Sequence, residues 1–198
     1  MVDAAPSRAR LIALGLAFYA ALAAGGLAWM HRRGDPILEK LGAPRVGFAV
    51  GAITGLAVGL GVAIVTRTAL SRARWVGRLR AELVDALRPL SIPLALGMAG
   101  ASGVAEELLF RGALQPAVGL AATAIVFGAL HGGLSRDFRG WAIFATLAGV
   151  VLGALANWSG GLLAPIAAHV TVNGVELVQL SRDSRRDRGR VADHDASC

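Results

Sequence analysis

The sequence predicts an all-α fold: a polytopic transmembrane helix bundle of about six membrane helices, with one amphipathic helix lying in the membrane surface. Three observations carry this reading. The 198 residues are 55% hydrophobic and their mean hydropathy is +0.59. Several apolar runs approach the roughly 20 residues that a helix needs to cross a bilayer. The 20 basic residues, which set a net charge of +7, lie almost entirely between those runs. A nucleic-acid binder could carry the same charge, but cations confined to the connections are what membrane topology demands. Lipid is therefore the expected surrounding, and no nucleic-acid partner is expected. With Cys198 as the single cysteine, neither a disulfide framework nor a prenylation signal is expected.

Residues 1–198 read as one integral membrane domain. After a short polar start bearing Arg8 and Arg10, Leu11 to Met30 is an uninterrupted apolar run and the first span. Ala21-Leu22-Ala23 resembles a signal-peptidase site, but the run exceeds the usual length of a signal core, so an uncleaved anchor is expected. Gly34-Asp35-Pro36 punctuates a polar loop. Val46 to Val65 is the second span, with Gly47, Gly51, Gly55 and Gly59 spaced by four on one face, where another helix can approach closely. Residues 66–88 form a basic connector, in which Trp75, Leu79, Leu83 and Leu87 recur every four residues between arginines, the pattern of an interfacial helix. Ser91 and Pro93 suit the N-cap and first turn of a third span. A fourth span ends near His131, Leu134 to Gly140 is a polar loop, and Trp141 to Ala156 is a fifth span. Asn157 to Gly161 turns the chain into a sixth span, Leu162 to Leu180. Residues 1–88 thus hold two spans and the connector, 89–180 hold the core, and 181–198 are expected to be a disordered tail.

Six spans put both termini, the 66–88 connector and the 134–140 loop on one side. The other side carries only Arg32, Arg33, Lys40 and Arg45. The positive-inside rule then places both termini in the cytoplasm. Composition rich in Ala, Gly and Arg is that of a GC-rich bacterial genome, so a bacterial plasma (inner) membrane is expected.

The third span contains charges where its surroundings supply none. Leu90 to Ala105 and Gly112 to Leu130 hold no charged residue, whereas Glu106, Glu107 and Arg111 sit between them. Charges inside a bilayer are rare, face the bundle interior and mark function. Glu107 and Arg111 are four apart with Glu first, the favourable order for a helical pair. Glu106 is turned away from that Arg and remains available for chemistry. Phe127 and His131 share a face by the same spacing, as do His169 and Asn173. Depth decides whether these groups can meet. If the third helix ended at Gly112, Glu106 and His131 would lie at opposite membrane faces. If it runs on and turns around Val118-Gly119-Leu120, both sit about 18–20 Å from the turn. His169 and Asn173 then lie roughly 14–20 Å beyond the Gly160 turn, on the same side. All four groups converge in this version, and the long third helix must tilt or bend.

A buried carboxylate beside a histidine suits activation of a water. A second histidine and an Asn amide can donate to the oxyanion formed when a peptide carbonyl is attacked. No Ser or Cys nucleophile is needed, and no GxSxG elbow is present. No cofactor or metal is required by this chemistry, although the same Glu and His groups could hold zinc with an open water position; there is no HExxH, and Asn is a poor zinc ligand. Intramembrane Glu and His also make proton relays, so a proton-coupled transporter is an alternative. A non-catalytic membrane protein of bacteriocin immunity is another.

The ordered set Glu106-Glu107-Leu108-Leu109-Phe110-Arg111, Phe127-Gly128-Ala129-Leu130-His131 and His169-Val170-Thr171-Val172-Asn173 resembles the CPBP family (CAAX proteases and bacteriocin-processing enzymes, also called ABI), whose signature is EExxxR, FxxxH and HxxxN. The flanks Arg111-Gly112-Ala113-Leu114-Gln115-Pro116 and Gly161 to Ala168 agree as well. The resemblance covers roughly Pro89 to Leu180 and makes 89–180 a protease core. It implies an intramembrane glutamic endopeptidase acting on a peptide or protein substrate. By this resemblance Glu106 and His131 would activate the water, His169 and Asn173 would stabilise the oxyanion, and Glu107, Arg111 and Phe127 would support the site. A prenylated substrate is not expected in a bacterium.

Overall fold

The computed structural model describes residues 8–87, 90–132 and 136–195, without the side chains of 8, 85–87, 137 and 184–195. The first residues of the polar start, the Pro89 boundary, Leu134 and Cys198 lie outside the described residues. Among the described residues every regular element is a helix: α1 (Arg8–Arg32), α2 (Ile37–Lys40), α3 (Phe48–Thr68), α4 (Arg74–Leu87), α5 (Ile92–Glu107), a π-helical segment (Leu108–Leu114), α6 (Gln115–Val118), α7 (Leu120–Gly132), a 3₁₀ turn (Arg136–Phe138), α8 (Arg139–Ser159) and α9 (Leu163–Asp195). Five stretches are long and apolar enough to cross a membrane: Ala9–Arg32, Phe48–Thr68, Ile92–Val118, Arg139–Ser159 and Leu163–Asp183. The sixth membrane helix, α7, is shorter. Its 13 residues rise about 20 Å, less than the hydrocarbon core of about 30 Å.

Apolar side chains face outward along the spans. Phe18, Ile53, Ile64, Ile125, Leu130, Ile143 and Leu147 are all more than half exposed. In water this would be an aggregating surface, whereas lipid is the solvent it fits. The chain is a multi-pass membrane protein.

Small residues set the interior spacing. Gly51, Gly55, Gly59 and Ala63 are the buried stripe of α3, and it lies against α9. A Cβ on Gly55 would strike the Ala164 carbonyl and one on Gly59 the Ala168 carbonyl, so these two backbones pack without intervening side chains. Gly47 belongs to the expected stripe by spacing but not in fact. It is the N-cap of α3, with φ of 83°, where only glycine turns the chain without strain. Gly103 lets α5 meet α9 in the same way, at Val170. Together these approaches place the start of α9, and with it His169, against α5. Gly55→Val should lower the thermal unfolding midpoint in detergent, through overpacking of about 1–3 kcal/mol. Gly61→Val should leave the midpoint unchanged, because a Cβ there meets nothing within 4 Å. Equal midpoints for the two variants would count against the close α3–α9 contact.

The third span follows its expected course and adds a feature. Ser91 caps α5, its side chain accepting from the Leu94 N–H at 3.4 Å, and Pro93 falls in the first turn. The helix continues through α6 and turns at Gly119, φ 84°. A π segment interrupts it, where the Gln115 N–H reaches back five residues to the Phe110 carbonyl. Pro116 lacks an N–H, so the Gly112 carbonyl loses its ordinary i+4 donor. Arg33, just past the end of α1, fills the gap. Its guanidinium donates to the Gly112 carbonyl at 2.6 Å and to the Ala113 carbonyl at 2.8 Å. Met30 is wholly buried beside it, against Leu108, Ala113 and Leu162.

Asp35 orients Arg33 from the loop, and Lys40 bonds the same carboxylate at 2.8 Å. The hydrogen bond from Arg33 holds the Asp35 carboxyl below the usual carboxylate range. The contact is therefore fully present at neutral pH and is lost only as pH falls through that lowered value. Arg33→Ala should cost about 1.5–3 kcal/mol, the range for hydrogen bonds to a charged group, measured by chemical unfolding in mixed micelles. Arg33→Lys should recover only part of it, since one ammonium does not match the planar fork. Full recovery by Lys would argue that charge alone matters.

Two sequence expectations change at the ends. Asn157, Trp158 and Ser159 complete α8 rather than forming a turn, which is made by Gly160 at φ 74°. Residues 181–195 continue α9 as helix where a disordered tail is expected. No proline interrupts the Arg- and Asp-rich stretch, and Asp183 pairs with Arg80 of α4, tying the two helices together.

Candidate active site

Glu106 and Glu107 close α5 at the mouth of the π segment, and both are buried. As neighbours on a helix they point about 100° apart, and they meet different atoms of His169. Glu107 and Arg111 have no exposed side-chain surface, and the Arg111 guanidinium donates to Glu107 Oε1 at 2.8 Å. It also donates to the Gly149 carbonyl of α8 at 3.2 Å. Its flat face lies over the Phe127 ring, 4.5 Å from the centroid, which suits a weakly hydrated cation in a dry site. The same Glu107 Oε1 lies 2.7 Å from His169 Nδ1. Spacing alone assigns Glu107 to Arg111, but here it also fixes the imidazole of α9. A carboxylate already accepting from Arg leaves His169 Nδ1 as the donor, so His169 Nε2 is the atom that faces the cavity.

Glu106 Oε2 faces both imidazoles, 3.5 Å from His131 Nε2 and 3.9 Å from His169 Nε2. This oxygen is buried and has no hydrogen-bond partner. His131 is held from behind. Its Nδ1 lies 2.8 Å from the Phe127 carbonyl, which can only accept, so Nδ1 carries the proton and Nε2 is turned toward Glu106. The Phe127 ring lies 4.2 Å from the His131 ring and Trp141 packs edge-on against its other side. Phe127 also touches His169 edge-on at 5.9 Å, so one aromatic ring separates and spaces both histidines.

The convergence expected from depth thus holds for Glu106, His131 and His169. Asn173 lines the same cavity but lies one turn further along α9, where its amide donates to Ser102 Oγ at 2.9 Å. Ser102 and Tyr19 are site residues that the sequence reading did not name. Ser102 is four residues before Glu106, on its face, and the spacing rule applied to Glu107 and Arg111 would have found it. Tyr19 of α1 lines the cavity beside Ser102 and Glu106. It is the chain's one tyrosine, inside an apolar run. The cavity, about 370 Å³, extends from these groups to Trp75, Leu79 and Leu83 of α4. Among the described residues, no group of three or more His, Cys, Asp and Glu side chains has a disposition that would hold a metal ion.

Fold and site together define a polytopic helical membrane protein with a carboxylate and two imidazoles gathered inside the bundle. Residues 88–175 match the family described as type II CAAX prenyl endopeptidase Rce1-like. All the motif residues discussed above fall inside this segment. Over 101 residues the chain is 34% identical to a protein of Bacillus subtilis (strain 168) described as uncharacterized protein YpbD, a match covering 50% of this chain and 52% of that one. The chain therefore spans about half the length of the curated relative it matches. No solved structure matches the chain.

Proposed function

We propose that this protein is an intramembrane endopeptidase of the glutamic type, which hydrolyses a peptide bond with a water activated by Glu106 and His131. The observation that carries the reading is the buried Glu106 Oε2, facing His131 Nε2 and His169 Nε2 inside an otherwise apolar bundle. A water held between Glu106 and His131 would give a proton to Glu106 as its oxygen attacks the carbonyl carbon. The oxyanion so formed would take hydrogen bonds from the Asn173 amide and from His169 Nε2 when that imidazole carries its second proton. Asn173 has two N–H groups and spends only one on Ser102. Glu107 and Arg111 cancel in charge, so a single proton shared among Glu106, His131 and His169 leaves the site neutral and makes a buried resting state affordable. The proton taken from water, passed from Glu106 through His131 to the amide nitrogen, would let the C–N bond break. The products would be a carboxylic acid and an amine.

The substrate on this reading is a peptide or protein reached from within the membrane, with no metal required. Both termini and the Arg-rich 66–88 connector would face the cytoplasm of a bacterial inner membrane, as the distribution of basic residues supports. The test is to incubate the purified chain in nanodiscs with a bacterial membrane fraction and label newly formed α-amines. New internal termini should accumulate, equally with and without a zinc chelator. Loss of cleavage with chelator, restored by zinc, would replace the water-activation step with a metal-bound one. Proton-coupled uptake into vesicles without new termini would overturn the proteolytic reading.

A further inference from the structure

We propose that Glu176 is a specificity determinant that selects a basic side chain, Arg or Lys, about three residues from the bond that is cut. This rests on the proteolytic reading above. Glu176 is seven residues after His169, two helical turns along α9, and so lies on the same face. It lines the same cavity as Glu106, His131 and His169. The axial separation of His169 and Glu176 is about 10 Å, and an extended peptide advances about 3.3 Å per residue. A substrate extended along α9 with its scissile bond at Glu106 would bring its third residue opposite Glu176.

Glu176 Oε1 is buried and makes no hydrogen bond. Arg67 and Arg80 are near enough to act on it electrostatically, but Arg80 is ion-paired with Asp183. No ion pair to Glu176 forms among the described residues. A carboxylate facing an apolar cavity costs free energy until a cation meets it. The cavity that Glu176 lines also includes Leu79, Leu83 and Arg80 of α4 with Leu177 and Leu180 of α9. A long basic side chain fits such a place, its aliphatic stem against the leucines and its charge at Glu176. Membrane proteins carry Lys and Arg just beyond the cytoplasmic ends of their spans. The substrate class implied is a membrane-anchored protein cut near such a basic flank. A free terminal carboxylate at the same distance from the bond would be repelled.

Glu176 went unnoticed in the sequence although it is a charge inside an apolar run, the same signal that singled out Glu106. The experiment is equilibrium binding to the full-length Glu106→Gln chain in nanodiscs, alone and combined with Glu176→Gln or Glu176→Arg. The probes are labelled apolar peptides in which a single Arg, Ala or Glu is walked through every position. One position should favour Arg over Ala by about tenfold, the scale of a desolvated charge pair. Glu176→Gln should erase the preference, and Glu176→Arg should turn it toward Glu. Equal binding of all peptides, binding of none, or an Arg preference that survives both substitutions would overturn the proposal. Cleavage of the same peptides by the unmodified chain separates the two readings. If cutting depends on Glu106 but no charge preference follows residue 176, the proteolytic reading stands and this one falls.

Discussion

Glu106→Gln is expected to reduce peptide-bond hydrolysis by about 10²–10⁴-fold, the range for loss of a positioned general base, while the unfolding midpoint in detergent stays close to that of the unmodified chain. The substitution keeps size and shape, so the packing of α5 against α9 is undisturbed. What disappears is the ability of Oε2 to take a proton from water. Since Glu106 Oε2 makes no hydrogen bond within the protein, little structural stabilisation is lost with its charge. Glu106→Asp should retain intermediate activity, because its carboxylate keeps the chemistry but retreats by one methylene from His131. Single-turnover appearance of a new N-terminus is the measurement. A Gln variant cleaving at the unmodified rate would remove Glu106 from the mechanism.

Glu107→Leu is expected to be the most destabilising single change in the site, by about 3–5 kcal/mol, because it leaves Arg111 charged in a place with no water. Both side chains are fully enclosed. The Gly149 carbonyl and the Phe127 and Phe110 rings would remain to Arg111. The double change Glu107→Leu with Arg111→Met should regain most of that loss, since removing both charges of a buried pair is often neutral. Activity should not return with it. His169 Nδ1 would have lost its acceptor, and Nε2 would no longer be held toward Glu106. Stability without activity in the double variant separates the two duties of Glu107. Recovery of both would mean that His169 needs no orienting partner.

Much of this site could be read from spacing because helices enforce it. Four-residue intervals place Glu107 on Arg111 and Phe127 on His131, and both contacts exist. Equal distances from the Gly119 turn bring Glu106 level with His131. What spacing cannot express is contact between helices of distant sequence. The His169–Glu107 bond joins residues 62 apart, and nothing local distinguishes a Glu that binds one partner from a Glu that binds two. The π segment was anticipated only as a need to bend. Its location depends on Pro116 depriving a carbonyl that an arginine 79 residues earlier restores. The reach of α9 beyond the membrane also escaped composition, which registers charge but not the tie between Arg80 and Asp183.

The glycine contacts between α3 and α9 have a consequence for how the protein is made. Chains emerge from the ribosome N-terminus first, at about 5–20 residues per second. Once α5 has entered the bilayer, Glu106, Glu107 and Arg111 must wait there while some fifty further residues are synthesised, a delay of roughly 3–10 s at that rate. Throughout that interval the narrow face of α3 has nothing to meet and His169 does not yet exist in the membrane. The last span to arrive both locks the bundle and completes the site. A ribosome that stalls before Leu163 leaves Glu107 and Arg111 in the bilayer without His169, the third member of their hydrogen-bonded set.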